Sequence, residues 1–243
     1  MKIGDHDWNL HPHASHVLRG GLDAAQLPAL ARAIKDEGGQ LVALWGSDDR
    51  HLGGGFGIHV VFLTGAGLAW VSSALPADAP AYPDLAHIFP QADRMQRATF
   101  DLLGITASDA VDDRKWLRHG AWPADVFPLR KDFDSSRPAT HDVNAYPFIR
   151  VEGEGVHEIA VGPIHAGTIE PGHFRFSVIG ERILRLEQHL GYTHKGTEKR
   201  FEGMDLATGA KLAGRVSGDA HIAYAWAYSM AVETASGSSV PER

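Results

Sequence analysis

A chain of 243 residues without a single cysteine cannot use any fold or site that depends on sulfur ligation. Disulfide frameworks, Cys-ligated zinc, Cys-held iron–sulfur clusters and thiolate nucleophiles are all excluded within it. An ordinary hydrophobic core must hold it together. With 44% apolar and 22% charged residues it belongs among globular chains, away from wholesale disorder. Its length accommodates one large domain or two small ones. The net charge of −7 lacks the basic excess that a nucleic-acid partner needs.

The first eight residues, Met-Lys-Ile-Gly-Asp-His-Asp-Trp, carry two acids and no apolar core, so they are no signal peptide. The longest uncharged stretch, His51 to Ala77, contains six Gly, and a spanning helix would be more continuously apolar. A soluble, cytoplasmic chain is expected. Residues 1–19 read as a flexible leader. His11, His13 and His16 within it are read as a solvated tail and not a metal set, since no Asp, Glu or second His pair fixes a geometry.

Residues 20–105 read as an α+β module. Asp23 can cap a helix in which Leu27, Leu30, Ala31 and Ile34 recur at helical spacing, and Gly38–Gly39 can end it. Strands are expected over Gln40–Trp45, His59–Thr64 and Leu68–Ser73, with Gly65-Ala66-Gly67 as a turn. Gly53, Gly54, Gly55 and Gly57 precede a strand-like run, so no helix N-terminus is placed to receive a phosphate there. A second helix carries Ala92, Met95, Ala98 and Leu102 on one side and stops at Gly104.

Residues 106–150 show no hydrophobic period and read as an extended strap. From 151 to 243 order returns, with strands over His157–Val161, His173–Val178 and Ile183–His189, then helices over 197–213 and 217–235. Tyr224, Trp226, Tyr228 and Met230 alternate there with alanines. They read as helix-bundle core in preference to a cofactor box, and an uncovered apolar face there would mark a partner contact.

Three segments go beyond pattern. The first is Pro83-Asp84-Leu85-Ala86-His87-Ile88-Phe89-Pro90 through Arg94 to Asp101-Leu102-Leu103-Gly104-Ile105, followed by Phe127-Pro128-Leu129-Arg130-Lys131-Asp132-Phe133. It is similar to the 30 kDa-type subunit of bacterial respiratory complex I. The second is Gly162-Pro163-Ile164-His165 through Glu170-Pro171-Gly172-His173-Phe174-Arg175-Phe176. The third is His194-Lys195-Gly196-Thr197-Glu198-Lys199, with Arg215-Val216-Ser217-Gly218 and Ala231-Val232-Glu233 beyond it. These two resemble the opening of the large subunit shared by complex I (its 49 kDa-type subunit) and the energy-converting [NiFe] hydrogenases, including formate-hydrogenlyase-type large subunits. The resemblance implies a fusion of the 30 kDa and 49 kDa types, whose β-hairpins lead into helices of a hydrogenase large-subunit-like domain.

Two departures stand beside the match. Where the hydrogenases carry two metal-bridging thiolates, this chain has Ser217 and Ala220, so no [NiFe] centre is expected. The complex I branch implies an acid and a quinone-binding tyrosine at the positions of Ser217 and Gly218, and that pair is absent too. Relatives are expected to continue past Arg243 into a helical bundle and a second Cys pair, so relative to the family the sequence is truncated at its C-terminus.

The resemblance matches Glu170 to a glutamate that passes protons near the hydrogenase centre, and His165 and His173 could extend such a relay. Against this stands charge pairing, for instance Glu170 with Arg175 or Glu198 with Lys195. A zinc site built from these histidines is disfavoured, because no short-spaced ligand pair sits on one element. The implied role is that of a subunit lining a redox cavity and coupling electron transfer to ion movement, inactive when isolated. Its implied partners are an Fe–S small subunit, antiporter-like membrane-arm subunits and a quinone or other acceptor. The implied location is the inner face of the cytoplasmic membrane. A catalytically inactive scaffold bridging the same partners is the alternative, and a free-standing His-based metal binder a weaker third.

Overall fold

The computed structural model describes residues 2–3, 6–12, 14–118, 122–136 and 146–238. After a two-residue pairing of β1 (Lys2–Ile3) with β2 (His6–Asp7), the first module is built on five strands. These are β3 (Asn9–His11), β4 (Ala14–Gly21), β5 (Gln40–Asp48), β6 (Phe56–Thr64) and β7 (Gly67–Leu75), in the spatial order β3-β4-β7-β6-β5. The β4–β7 pair is parallel and the other three are antiparallel. Along β6 the core side takes Phe56, Ile58, Val60 and Phe62, all buried, while His59 and Val61 point to the open side. Helix α1 (Leu27–Asp36) presents its periodic residues Leu27, Leu30, Ala31 and Ile34 to the core, each burial contributing roughly 2 kcal/mol for a full-sized side chain.

The N-terminal segment departs from expectation. Residues 9–21 form two strands of this sheet, not a loose leader. Trp8 is buried against Gly20, Leu18 is buried in the core, and β4 pairs with β7 over Val17–Gly21. The cause is non-local: the partner strand lies some fifty positions on, where no local period could announce it. His13 lies outside the described residues, and no group of three His, Cys, Asp or Glu suited to a metal occurs among the described residues.

A short parallel pair, β8 (Ala81–Pro83) with β9 (Thr106–Ser108), flanks helix α2 (Ala92–Leu103). Gly104 ends α2 at φ +71°, a left-handed conformation suited to glycine. A Cβ there would also meet the Phe127 ring and the Arg130 guanidinium, so the strap lies directly over this turn. Apart from β9, the described strap residues form no helix or strand. They are held by side chains. Asp101 Oδ2 accepts from the backbone N–H groups of Trp116, Leu117 and Arg118 at 2.7, 2.7 and 3.1 Å.

The second module opens with an antiparallel sheet, β10 (Val156–Val161), β11 (His173–Ile179) and β12 (Arg182–His189). Its two faces differ. Ile159, Phe176 and Leu186 form one cross-strand row, and Ala160, Arg175 and Glu187 the next, on the opposite face. Helices α3 (Thr197–Phe201), α4 (Leu206–Ala213) and α5 (His221–Ser236) follow. The single helix expected over 197–213 is thus two, broken at Gly203, which adopts φ +76°. No residue of α5 is buried, and Ile222 and Trp226 are 73% and 68% exposed.

Candidate functional site

The strap motif forms the joint between the modules. Asp48, at the end of β5, has a fully buried side chain that receives Arg50 on both oxygens, at 2.9 and 2.7 Å. Its Oδ2 also accepts from the Lys131 backbone N–H at 2.9 Å. Arg50 reaches on to Asp132 at 3.0 Å. Arg130 donates through Nε to the Leu103 carbonyl at 2.7 Å and lies 4.3 Å from the centre of the Phe127 ring. The Arg50 hydrogen bonds hold the Asp48 carboxyl well below the usual carboxylate range, outweighing burial. Sequence reasoning does not single out Asp48 and Arg50, yet a charged Asp-Asp-Arg run closing a buried strand is the signal that marks them.

A second joint lies nearby. Arg114 pairs with Asp112 at 2.6 Å and with Glu187 of β12 at 2.6 Å, and Arg185 also holds Glu187 at 2.6 Å. Arg97 on α2 donates to Tyr146 Oη at 2.6 Å and to the carbonyls of Arg114 and Lys115. These residues carry no family signature in the sequence, and their long-range partners are 15 to 73 positions away.

The residues of the two large-subunit-like segments surround a cleft of about 530 Å³ whose wall includes Glu170, His194, Lys195, Glu198, Phe201 and Tyr228. A second cavity, of about 560 Å³, is lined by Gly167, Glu170, Ser217, Gly218 and Asp219. Glu170 borders both. The structure thus gathers Glu170, His194, Lys195, Glu198, Ser217 and Gly218 from three stretches of sequence into one region.

The histidines of the expected relay are engaged elsewhere. His165 Nε2 donates to the Gly172 carbonyl at 2.8 Å. His173 Nδ1 donates to the Gly162 carbonyl at 3.0 Å, while its Nε2 accepts from Arg175 Nε at 3.1 Å. With both ring nitrogens engaged, His173 has none left for Glu170. Gly162, at φ +76°, permits this crossing, since a Cβ would collide with the Gly172 carbonyl and the His165 ring. The suggested ion pairs differ as well. Arg175 pairs with Glu158 at 2.6 Å, not with Glu170, because Ala160 lies opposite it on β10 and Glu158 is the next residue along on the same face. Lys195 Nζ donates to the carbonyls of Arg215 and Val216, not to Glu198.

The Ser217 hydroxyl donates to Asp219 at 2.7 Å, and Ala220, the residue before α5, has no donor atom. A hydroxyl committed to a carboxylate and a methyl group do not fit the thiolate bridges of a nickel–iron centre.

The comparisons with known proteins agree with both halves. Residues 21–139 match the family model described as respiratory-chain NADH dehydrogenase, 30 Kd subunit. The chain is 35% identical over 215 residues to formate hydrogenlyase subunit 5 of Escherichia coli K12, with 85% of this chain and 38% of the relative aligned. It is 35% identical to hydrogenase-4 component G of the same organism, over 84% of this chain and 38% of that protein. It is 29% identical to the C/D subunit of NADH-quinone oxidoreductase from Phocaeicola vulgatus, over 68% of this chain and 35% of that one. The chain thus spans little more than a third of the length of these relatives. Over residues 21–139 the chain is a domain of the 30 kDa-type family of respiratory-chain NADH dehydrogenase subunits, and through both modules it is similar to the formate hydrogenlyase, hydrogenase-4 and C/D-type subunits.

Proposed function

We propose that this chain acts as a subunit of a membrane-associated, complex I-like or hydrogenase-like oxidoreductase, where it lines the redox cavity and couples electron transfer to ion translocation. It contributes no [NiFe] centre of its own. Electrons reach the cavity from an Fe–S cluster on a small partner subunit, because this chain offers no cluster ligands. Antiporter-like membrane-arm subunits and a quinone or other acceptor complete the assembly. In this reading the chain sits at the inner face of the cytoplasmic membrane, held by its partners; among the described residues no helix is long and apolar enough to cross a membrane.

The observation that carries this reading is the single alignment running through both modules, 85% of the chain, with its motif residues placed at the module joint and around one cleft. In this reading Glu170, on the loop before β11 and bordering both cavities, serves as the proton-passing carboxylate. Purification of the assembly from membranes through a tag on this chain is the test. Co-purification of an Fe–S subunit and membrane subunits, with turnover of hydrogen, viologen or quinone that falls in Glu170→Gln, supports it. An assembly that forms but passes electrons to no acceptor leaves the scaffold reading, and a chain that recruits no partner refutes both.

A further inference from the structure

Helix α3 has two working sides. Thr197, Glu198 and Phe201 line the cleft, and Phe201 stacks on Tyr228 of α5 with ring centres 5.8 Å apart and planes 15° apart. Lys199 and Glu202 project instead toward the strap. Glu202 divides its carboxylate between the strap and its own module: Oε1 receives Lys131 Nζ of the strap at 2.7 Å, and Oε2 receives Lys199 Nζ at 3.0 Å. Lys199 Nζ also donates to the Arg130 carbonyl at 3.2 Å and lies 5.7 Å from the centre of the Phe133 ring. From there the contacts run through Asp132 to Arg50 and the buried Asp48 at the end of β5.

Little else fixes this helix. It has five residues, none buried, and no side-chain cap at its Gly196 end. Its place is set by the Phe201 stack on one side and the lysine–glutamate clamp on the other. Phe201 and Glu202 are consecutive residues, so a shift of the ring on one side displaces the carboxylate on the other. The clamp residues are each about a third exposed, with side-chain values of 39%, 34% and 29% for Lys131, Glu202 and Lys199. Ion pairs so open to water are individually weak, which lets a modest change at the cleft redistribute them.

We propose that Lys199 and Glu202 are positioning residues that couple the shape of the cleft wall to the docking of the 130–133 strap, so that the first module senses what the cleft holds. The proposal deepens the reading of the cleft as a redox cavity and takes its purpose from that reading, while its test needs neither electron transfer nor a partner.

The absence of cysteine supplies a clean reporter. In the 243-residue chain, Thr197→Cys introduces the only thiol, on the cleft side of α3. Its maleimide labelling rate is followed with Lys131→Met or Glu202→Gln added on the strap side. The rate is expected to change by about threefold or more in each. The charge-swapped pair Lys131→Glu with Glu202→Lys is expected to restore it, which general loosening of the fold would not do. Glu158→Gln, which breaks a comparable exposed pair on the second sheet, is expected to leave it unchanged. In the reverse direction, Phe201→Ala is expected to speed hydrogen exchange at residues 129–133. Unchanged labelling in both strap variants overturns the proposal, as does an equal response to Glu158→Gln or no rescue by the swap. Failure to find partners or turnover for the assembly would sink the functional reading and leave this result standing.

Discussion

Arg114 Nη1 and Glu187 Oε2 lie 2.6 Å apart, joining the strap to an edge strand of the second sheet across 73 positions of sequence. Both side chains are well shielded, at 14% and 6% exposure. Removing one partner of a shielded pair leaves the other charge only partly compensated, here by Arg185 alone. Arg114→Met is therefore expected to destabilise the chain by about 2–3 kcal/mol. Urea unfolding checks it, and the loss should show as earlier release of the second module. A midpoint equal to that of the parent would mean that the joint contributes nothing.

Acid should undo both joints. Burial raises the Glu187 carboxyl, but the hydrogen bonds from Arg114 and Arg185 outweigh it and hold the group below its ordinary 4.5. Glu202 behaves alike, with Lys131 and Lys199 overcoming burial. Asp132 is lowered chiefly by its bond from Arg50, as Asp48 is. Groups with depressed folded values stabilise fully above their ordinary values, and that contribution is lost as pH falls through the folded ones. Stability should hold roughly constant from about pH 7 to 5 and drop steeply below about pH 4. Arg114→Met should flatten part of the acid limb. Stability that increases on acidification would reverse the sign argued here.

Local periodicity makes the first module readable. Leu27, Leu30, Ala31 and Ile34 mark α1, the alternation at 56–64 marks β6, and Gly104 marks the end of α2. What the sequence hides is long-range. The parallel pairing of Val17 with Leu68 turns an apparent leader into an inner strand, and its outward residues, such as Arg19 stacked on Trp70, look like surface. The site shows the same division. Motif matching finds Glu170, His194, Lys195 and Glu198, which do meet at one cleft. It misjudges their partners, because whether Arg175 meets Glu158 or Glu170 is decided by strand register, and register is fixed only when the sheet forms. The aromatics that alternate with alanines on α5 read as bundle core, yet no residue of α5 is buried and Ile222 and Trp226 are exposed.

Asp101 anchors the strap by a different device. Its side chain is buried, and one carboxylate oxygen gathers three successive backbone N–H groups. Asp101→Ala would leave those donors buried without an acceptor, at a cost of roughly 3 kcal/mol or more. Hydrogen exchange at residues 116–118 should accelerate in the variant beyond what its global destabilisation explains. Asp101→Asn keeps an acceptor oxygen and should recover much of the loss. If alanine and asparagine behave alike, charge and not donor capture holds the strap.

Metal content tests the expectation that this chain holds no [NiFe] centre. Ser217 and Ala220 stand three positions apart just before α5, with the Ser217 hydroxyl bonded to Asp219 and a methyl group at Ala220. Nickel and zinc select soft or borderline ligands, and a neutral hydroxyl competes poorly with water for either. The chain incubated with nickel and desalted should retain well under about 0.1 equivalent. The double variant Ser217→Cys with Ala220→Cys installs two thiols in a Cys-x-x-Cys spacing that suits a common ion. It should retain up to about one equivalent of nickel or zinc, with release of protons as the thiols ionise. Measured by atomic emission on both proteins, that contrast would trace the absence of nickel binding to these two side chains. One equivalent of nickel on the parent would require other ligands and would overturn the assignment.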